Sequence, residues 1–156
     1  MFDRTQIETY AAGGARLREA VVGLSDEQLQ AFPIPGTWSI QQIVVHLNDS
    51  DAVGIDRMKR VAAMERPLLM GYDENAFTAR LRYEAQPVAD TLDLFDLNRR
   101  LWAITLRGLP DEAFERIGIH SERGKLSLAE LVADYIRHLD HHLAFIRRKR
   151  DLLAAG

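Results

Sequence analysis

The sequence predicts an all-α protein, a four-helix bundle. Three observations carry this: four long stretches repeat apolar residues at three- and four-residue intervals, no alternating run is long enough to found a sheet, and no segment repeats another. At 156 residues the chain is one domain over residues 1–156, large enough to bury a core and too short for two ordinary ones.

Helix one runs from about Thr5 to Leu24, where Gly23 and Ser25 interrupt the pattern. SDEQL reads as a brief capped helix, and FPIPGTW, with two prolines and a glycine, bars a regular one. Ser39 with Gln42 is a capping box, and helix two then carries Ile43, Val44, Leu47, Val53, Ile55, Met58 and Val61. Pro67 and Gly71 end it. YDENAFTARLRYEA forms a long connection with one short helix, of a length that serves function or returns the chain along the bundle. Pro87 opens helix three, with Val88, Leu92, Phe95, Leu97, Leu101, Trp102 and Leu106 as its apolar residues, and Gly108 and Pro110 stop it. Asp111 to Phe114 adds a turn. GIHSERGKLS is hairpin-like around Gly124 but too short to found a sheet. Ser127 with Glu130 is another capping box, opening a last helix that ends near Leu153.

A formal charge of −3, with 47% hydrophobic and 28% charged residues, describes an ordinary soluble globular protein. There is no basic stripe for nucleic acid; the run Arg147 to Arg150 sits at a helix end, where it complements the dipole. No apolar run reaches membrane-spanning length and the N-terminus lacks a signal-peptide layout, so a cytoplasmic location is expected. Without cysteine there is no disulfide, thiolate ligand or cysteine nucleophile, and any metal must use His, Asp or Glu. Phosphate loops and nucleophile elbows are also absent.

Three of the five histidines fall within YIRHLDHHLAF. On a helix, residues four apart share a face with Cβ atoms about 6 Å apart, so His138 and His142 can point at one ion. At about 100° per residue, Leu128, Leu131, Tyr135, Leu139 and Ile146 mark the inner side; His142 lies within it, His138 at its margin, and His141 toward solvent. His46 occupies the inward stripe of helix two, with Ile43 and Val53. One such histidine is usually a hydrogen-bonded core residue, but three on two facing helices make a three-imidazole metal site with an open position. Imidazoles suit zinc, nickel, copper or iron.

GTWSIQQIVVHLNDSD and LVADYIRHLDHHLAFI, with the length, the helix count and the long connection between helices two and three, resemble the DinB/YfiT-like superfamily of metal-binding four-helix bundles. The resemblance covers essentially the whole chain. It implies a divalent metal, zinc or nickel in many members, on the equivalents of His46, His138 and His142, and in some members reactions of low-molecular-weight thiols.

Asp49 and Ser50, one turn past His46, are placed to ligate or to take a proton, although short polar residues also commonly punctuate helices. Asp134, one turn before His138, is expected as an acceptor for an imidazole N–H or as a solvated acid. Trp38 is read as a staple on the core, Tyr72 and Asp73 as residues at the cavity mouth, and Arg99 with Arg100 as a solvated pair that is also able to recognise a carboxylate. His120 matches no ligand spacing.

The expected function is that of a metal-dependent enzyme acting on a small molecule, first as a thiol S-transferase whose ion lowers the thiol pKa, and alternatively as a hydrolase with Asp49 as base. A non-enzymatic, metal-stabilised bundle is the competing class. A homodimer is expected from leftover apolar stripes.

Overall fold

Four long helical segments pack around a core, with a small sheet at one end, described over residues 2–155 in a computed structural model. The first segment is broken: α1 (Thr5–Ala11) and α2 (Gly13–Val21) meet at Ala12, beside two glycines that weaken helix propensity. α3 (Asp26–Gln30) is the brief capped helix expected, its cap a box of Ser25 with Gln28, and α4 (Ile40–Ala63) starts on the expected box of Ser39 with Gln42. The long connection contains β1 (Leu68–Leu69), α5 (Glu74–Arg80) and a 3-10 turn, Tyr83–Ala85. After α6 (Val88–Gly108) come a 3-10 turn at Asp111–Glu115, the hairpin β2 (Ile117–His120) and β3 (Gly124–Ser127), and α7 (Leu128–Ala154), capped by Ser127 with Glu130.

The hairpin does found a sheet, contrary to expectation. β1 supplies the third strand, running parallel to β2 with Leu68 opposite Ile119 and Leu69 opposite His120, while β3 pairs antiparallel on the other side. Two residues suffice because the sheet leans on α4: a Cβ at Gly118 would lie 2.9 Å from Val61 and 2.8 Å from Leu69.

The inner stripe of α6 also differs from the reading above. Leu92, Phe95, Arg99, Trp102 and Leu106 face inward, whereas Leu97 and Leu101 join Leu94 and Ile104 on the outside. Arg99 is therefore no solvated residue: at 1% exposure it makes a bidentate ion pair with Asp51 of α4, at 2.7 and 2.9 Å. It also donates to the Tyr135 and Tyr10 carbonyls and lies 4.5 Å from the Tyr10 and Phe95 ring centres. A Cβ at Gly13 would sit 2.2 Å from its Nη1, so the bare glycine leaves room for the guanidinium. Arg100 is the exposed member of the pair, beside Asp96.

This ion pair divides the core. One apolar cluster joins Tyr10, Met58, Trp102, Phe114 and Leu128; the other joins Leu17, Ile40, Val44, Phe95, Leu139 and Ile146. The connection is fastened to α4 by Gln41, whose amide donates to the carbonyls of Tyr83, Glu84 and Gln86. No helix among the described residues is long and apolar enough to cross a membrane.

Candidate metal centre

α4 and α7 bring three imidazoles to one point. His46 Nε2 lies 3.2 Å from His138 Nε2, which lies 3.1 Å from His142 Nε2, and all three ligand atoms fall within 4.8 Å of one another. Two nitrogens each about 2.0–2.1 Å from a tetrahedral ion would stand roughly 3.3 Å apart, so the donor set fits a divalent ion. His46 is buried; its other nitrogen, Nδ1, is buried without a partner. His141 is exposed, as predicted from its helical position.

Burial keeps these rings unprotonated. It lowers His46 to about 4, assisted by His138; it lowers His138 to about 4, assisted by Arg99 and His141; and it lowers His142 to about 3, assisted by the other imidazoles. At neutral pH each ring keeps a lone pair for a metal, and binding there displaces few protons.

The close approach of α7 to α4 depends on Gly54, where a Cβ would meet the Tyr135 ring at 2.2–2.5 Å. Tyr135 stands edge-on to His138, with ring centres 6.4 Å apart. Trp38 packs on the apolar core as expected, but its ring also lies 4.8 Å from His46 and 6.3 Å from His142. It thus shields one side of the imidazoles from water.

The carboxylates are arranged differently from the sequence reading. Asp49 accepts a 2.7 Å hydrogen bond from the buried Tyr83, which ties the connection to α4. Asp134 accepts from Arg123 at 2.7 Å and from Arg137, with no bond to an imidazole. Asp73 caps α5 through the Ala76 N–H, and Tyr72 lies tilted against Phe77, with ring centres 4.8 Å apart. The carboxylate that does reach the centre is Glu74, in the first turn of α5, with Oε2 3.8 Å from His46 Nε2. Sequence reasoning missed it because a residue in an irregular connection has no periodicity to orient it; the one signal was the N-cap pattern that places Glu74 at a helix start. His120, set aside from its spacing, is buried and lines a cavity beside His138.

The DinB superfamily model matches residues 9–146. A relative from Oceanobacillus iheyensis is 32% identical over 130 residues, 83% of this chain and 75% of its own length. YfiT of Bacillus subtilis is 30% identical over 133 residues, 85% of this chain and 75% of its own. Both bear the provisional name of metal-dependent hydrolase. The solved structure of YfiT, described as having an unusual four-helix bundle topology, superposes with a TM-score of 0.90 at 27% identity, covering 96% of this chain and 86% of that one. The mycothiol-dependent maleylpyruvate isomerase shares the fold at a TM-score of 0.70 and 10% identity, over 90% of this chain and 58% of that one.

Proposed function

The chain belongs to the DinB superfamily, and from that premise we propose that it is a metal-dependent hydrolase of a small molecule, with His46, His138 and His142 as the metal ligands. The observation that carries the reading is the convergence of three neutral imidazole nitrogens with one carboxylate, Glu74, 3.8 Å from His46. The names of its relatives support the same class.

A divalent ion held there, zinc or nickel, supplies Lewis acidity that polarises a water or a substrate oxygen. The chain's own residues do the rest. Glu74 takes up a proton at its Oε2 and can return it to the leaving group, as general acid–base catalysis requires. Its helix is fixed by the Asp73 cap, and the connection that carries it is fastened by Gln41 and by the Tyr83–Asp49 bond. Asp49 is therefore a positioning residue, and the base assigned to it from sequence is better filled by Glu74. Trp38 and the apolar cluster behind it keep bulk water off the His46 side. Thiol transfer needs no protein carboxylate at the ion, so Glu74 tips the reading toward water as the nucleophile.

Elemental analysis of untagged protein tests the ligand set: one ion per chain in wild type and none in His46→Ala or His142→Ala. The base is tested with Glu74→Gln on a panel of esters and amides. Retained metal with kcat lowered about 10²- to 10⁴-fold is the expected result; unchanged kcat would remove Glu74 from the reaction.

A further inference from the structure

On the His138 side of the imidazoles lies a cavity of about 350 Å³. Its wall is rich in cations in a chain whose net charge is negative: Arg57, Arg123 and Arg137 line it together with His120, Tyr135 and His138. Asp134 answers two of these arginines, accepting from Arg123 and Arg137. Arg57 is different. It donates to the Tyr135 hydroxyl at 3.2 Å and to the Met70 carbonyl, and its Nε is buried with no partner. Among the described residues its charge is met only by neutral oxygens, and a half-buried guanidinium with a donor unspent is built for a carboxylate or another oxyanion. His120 accepts the Glu122 N–H at Nδ1, which leaves its proton on Nε2 and makes the ring a neutral donor in the same wall.

The cavity also connects the two ends of a ligand. Tyr135 bonds Arg57 through its hydroxyl and stands 6.4 Å from His138 by ring centres, so one tyrosine separates the guanidinium from the imidazole cluster. At about 30 Å³ per water-sized group, the volume admits on the order of ten such groups, which suits a small acid.

We propose that this cavity binds the carboxylate of a small anionic substrate, with Arg57 as its counter-ion, and that the substrate's other end lies at His138. The proposal rests on the metal-centre reading for what happens at that other end, but the anion pocket is testable apart from it.

Metal-free full-length protein is titrated calorimetrically with succinate and, separately, with inorganic phosphate. Succinate binding in wild type that weakens about tenfold or more in Arg57→Gln, and recovers in part in Arg57→Lys, supports the pocket. No succinate binding, equal binding in wild type and Arg57→Gln, or a preference for phosphate overturns the assignment. The Lys variant carries the comparison if the Gln variant fails to fold, since loss of planar, two-pronged donation alone should weaken succinate. Cobalt-loaded protein is then titrated with 3-mercaptopropionate, 4-mercaptobutyrate and neutral 2-mercaptoethanol, reading the visible spectrum. A thiol acid that binds about tenfold tighter than 2-mercaptoethanol, by an advantage lost in Arg57→Gln, supports the link from pocket to centre. A spectrum that responds to all three thiols equally overturns that link while leaving the metal centre intact; cobalt that fails to bind sinks the metal reading while the succinate result stands.

Discussion

Arg99, fully buried, and the three imidazoles, one buried and two half-buried, are polar groups of opposite kinds, and each gives a prediction at the scale of a single side chain. Arg99→Met would strand Asp51 in the core without its partner; a cost of about 3–5 kcal/mol is expected in chemical denaturation, most of it recovered when Asp51 is also replaced by Leu. A cost below about 1 kcal/mol would mean that water reaches the carboxylate. The imidazoles act through pH. Their folded values, about 4, 4 and 3, lie below the ordinary 6.5, so between these limits the unfolded chain binds more protons and stability rises with pH. Metal-free protein should be at full strength above about pH 6.5 and melt progressively lower as pH falls toward 4, with a shallower decline in His142→Gln. Equal declines in both proteins would show that other groups govern acid unfolding. The burial of Arg99 was legible in principle, since Leu92, Phe95, Arg99, Trp102 and Leu106 keep a three-four-three-four spacing. Against this, a doubled arginine suggests a wet face, and helix three offers two apolar stripes that periodicity alone does not rank.

Among the elements, the helices were read from their caps and periods, and the capping boxes of Ser39 and Ser127 stand where the sequence put them. What escaped was pairing at long range. β1 is two residues long, and its partner β2 lies some fifty positions away, so no local pattern announces the strand. Glu74 escaped for the same reason: its approach to His46 is set by how the connection folds back on α4, which Gln41 and Asp49 decide through contacts with residues about forty positions downstream. Gly54 gives the prediction for this scale. Alanine is favoured over glycine within a helix by about 1 kcal/mol, yet here its methyl would overlap the Tyr135 ring. Overpacking of about 1–3 kcal/mol should win, so Gly54→Ala should lower the melting temperature and, by prising α7 from α4, reduce metal content. A gain in stability would show that Tyr135 swings away freely.

The whole molecule leaves one apolar face without cover. Leu94, Leu97, Leu101 and Ile104, each between 45% and 63% exposed, follow one side of α6 at helical spacing. We propose that two copies pair through this face as a symmetric dimer, which keeps the earlier expectation of a homodimer and gives it a location. Sedimentation should show a dimer for wild type and a monomer for Leu97→Glu with Leu101→Glu; a monomeric wild type would refute it. The three-histidine set itself was legible because both helices carry it in regular positions, whereas the cationic cavity beside it was not, since Arg57, His120 and Arg123 come from a helix, a strand and a turn.

The Asp51–Arg99 pair has one more implication, for how the chain avoids wrong arrangements of itself. A bundle of amphipathic helices has neighbouring solutions in which one helix slides by a turn, about 5.4 Å, while its apolar side stays covered. Greasy cores tell such solutions apart poorly. With one acid on α4 and one base on α6 sealed between two apolar halves, any such slip leaves two charges in hydrocarbon facing no counterpart, and the misaligned state is penalised by several kcal/mol, a large share of a domain's usual margin of stability. The pair works as a proofreading mark halfway along the bundle. Because His46 lies on the same helix as Asp51, a little over one turn away, whatever holds α4 to its mark also decides whether three imidazoles meet at a point or miss one another by the length of a turn.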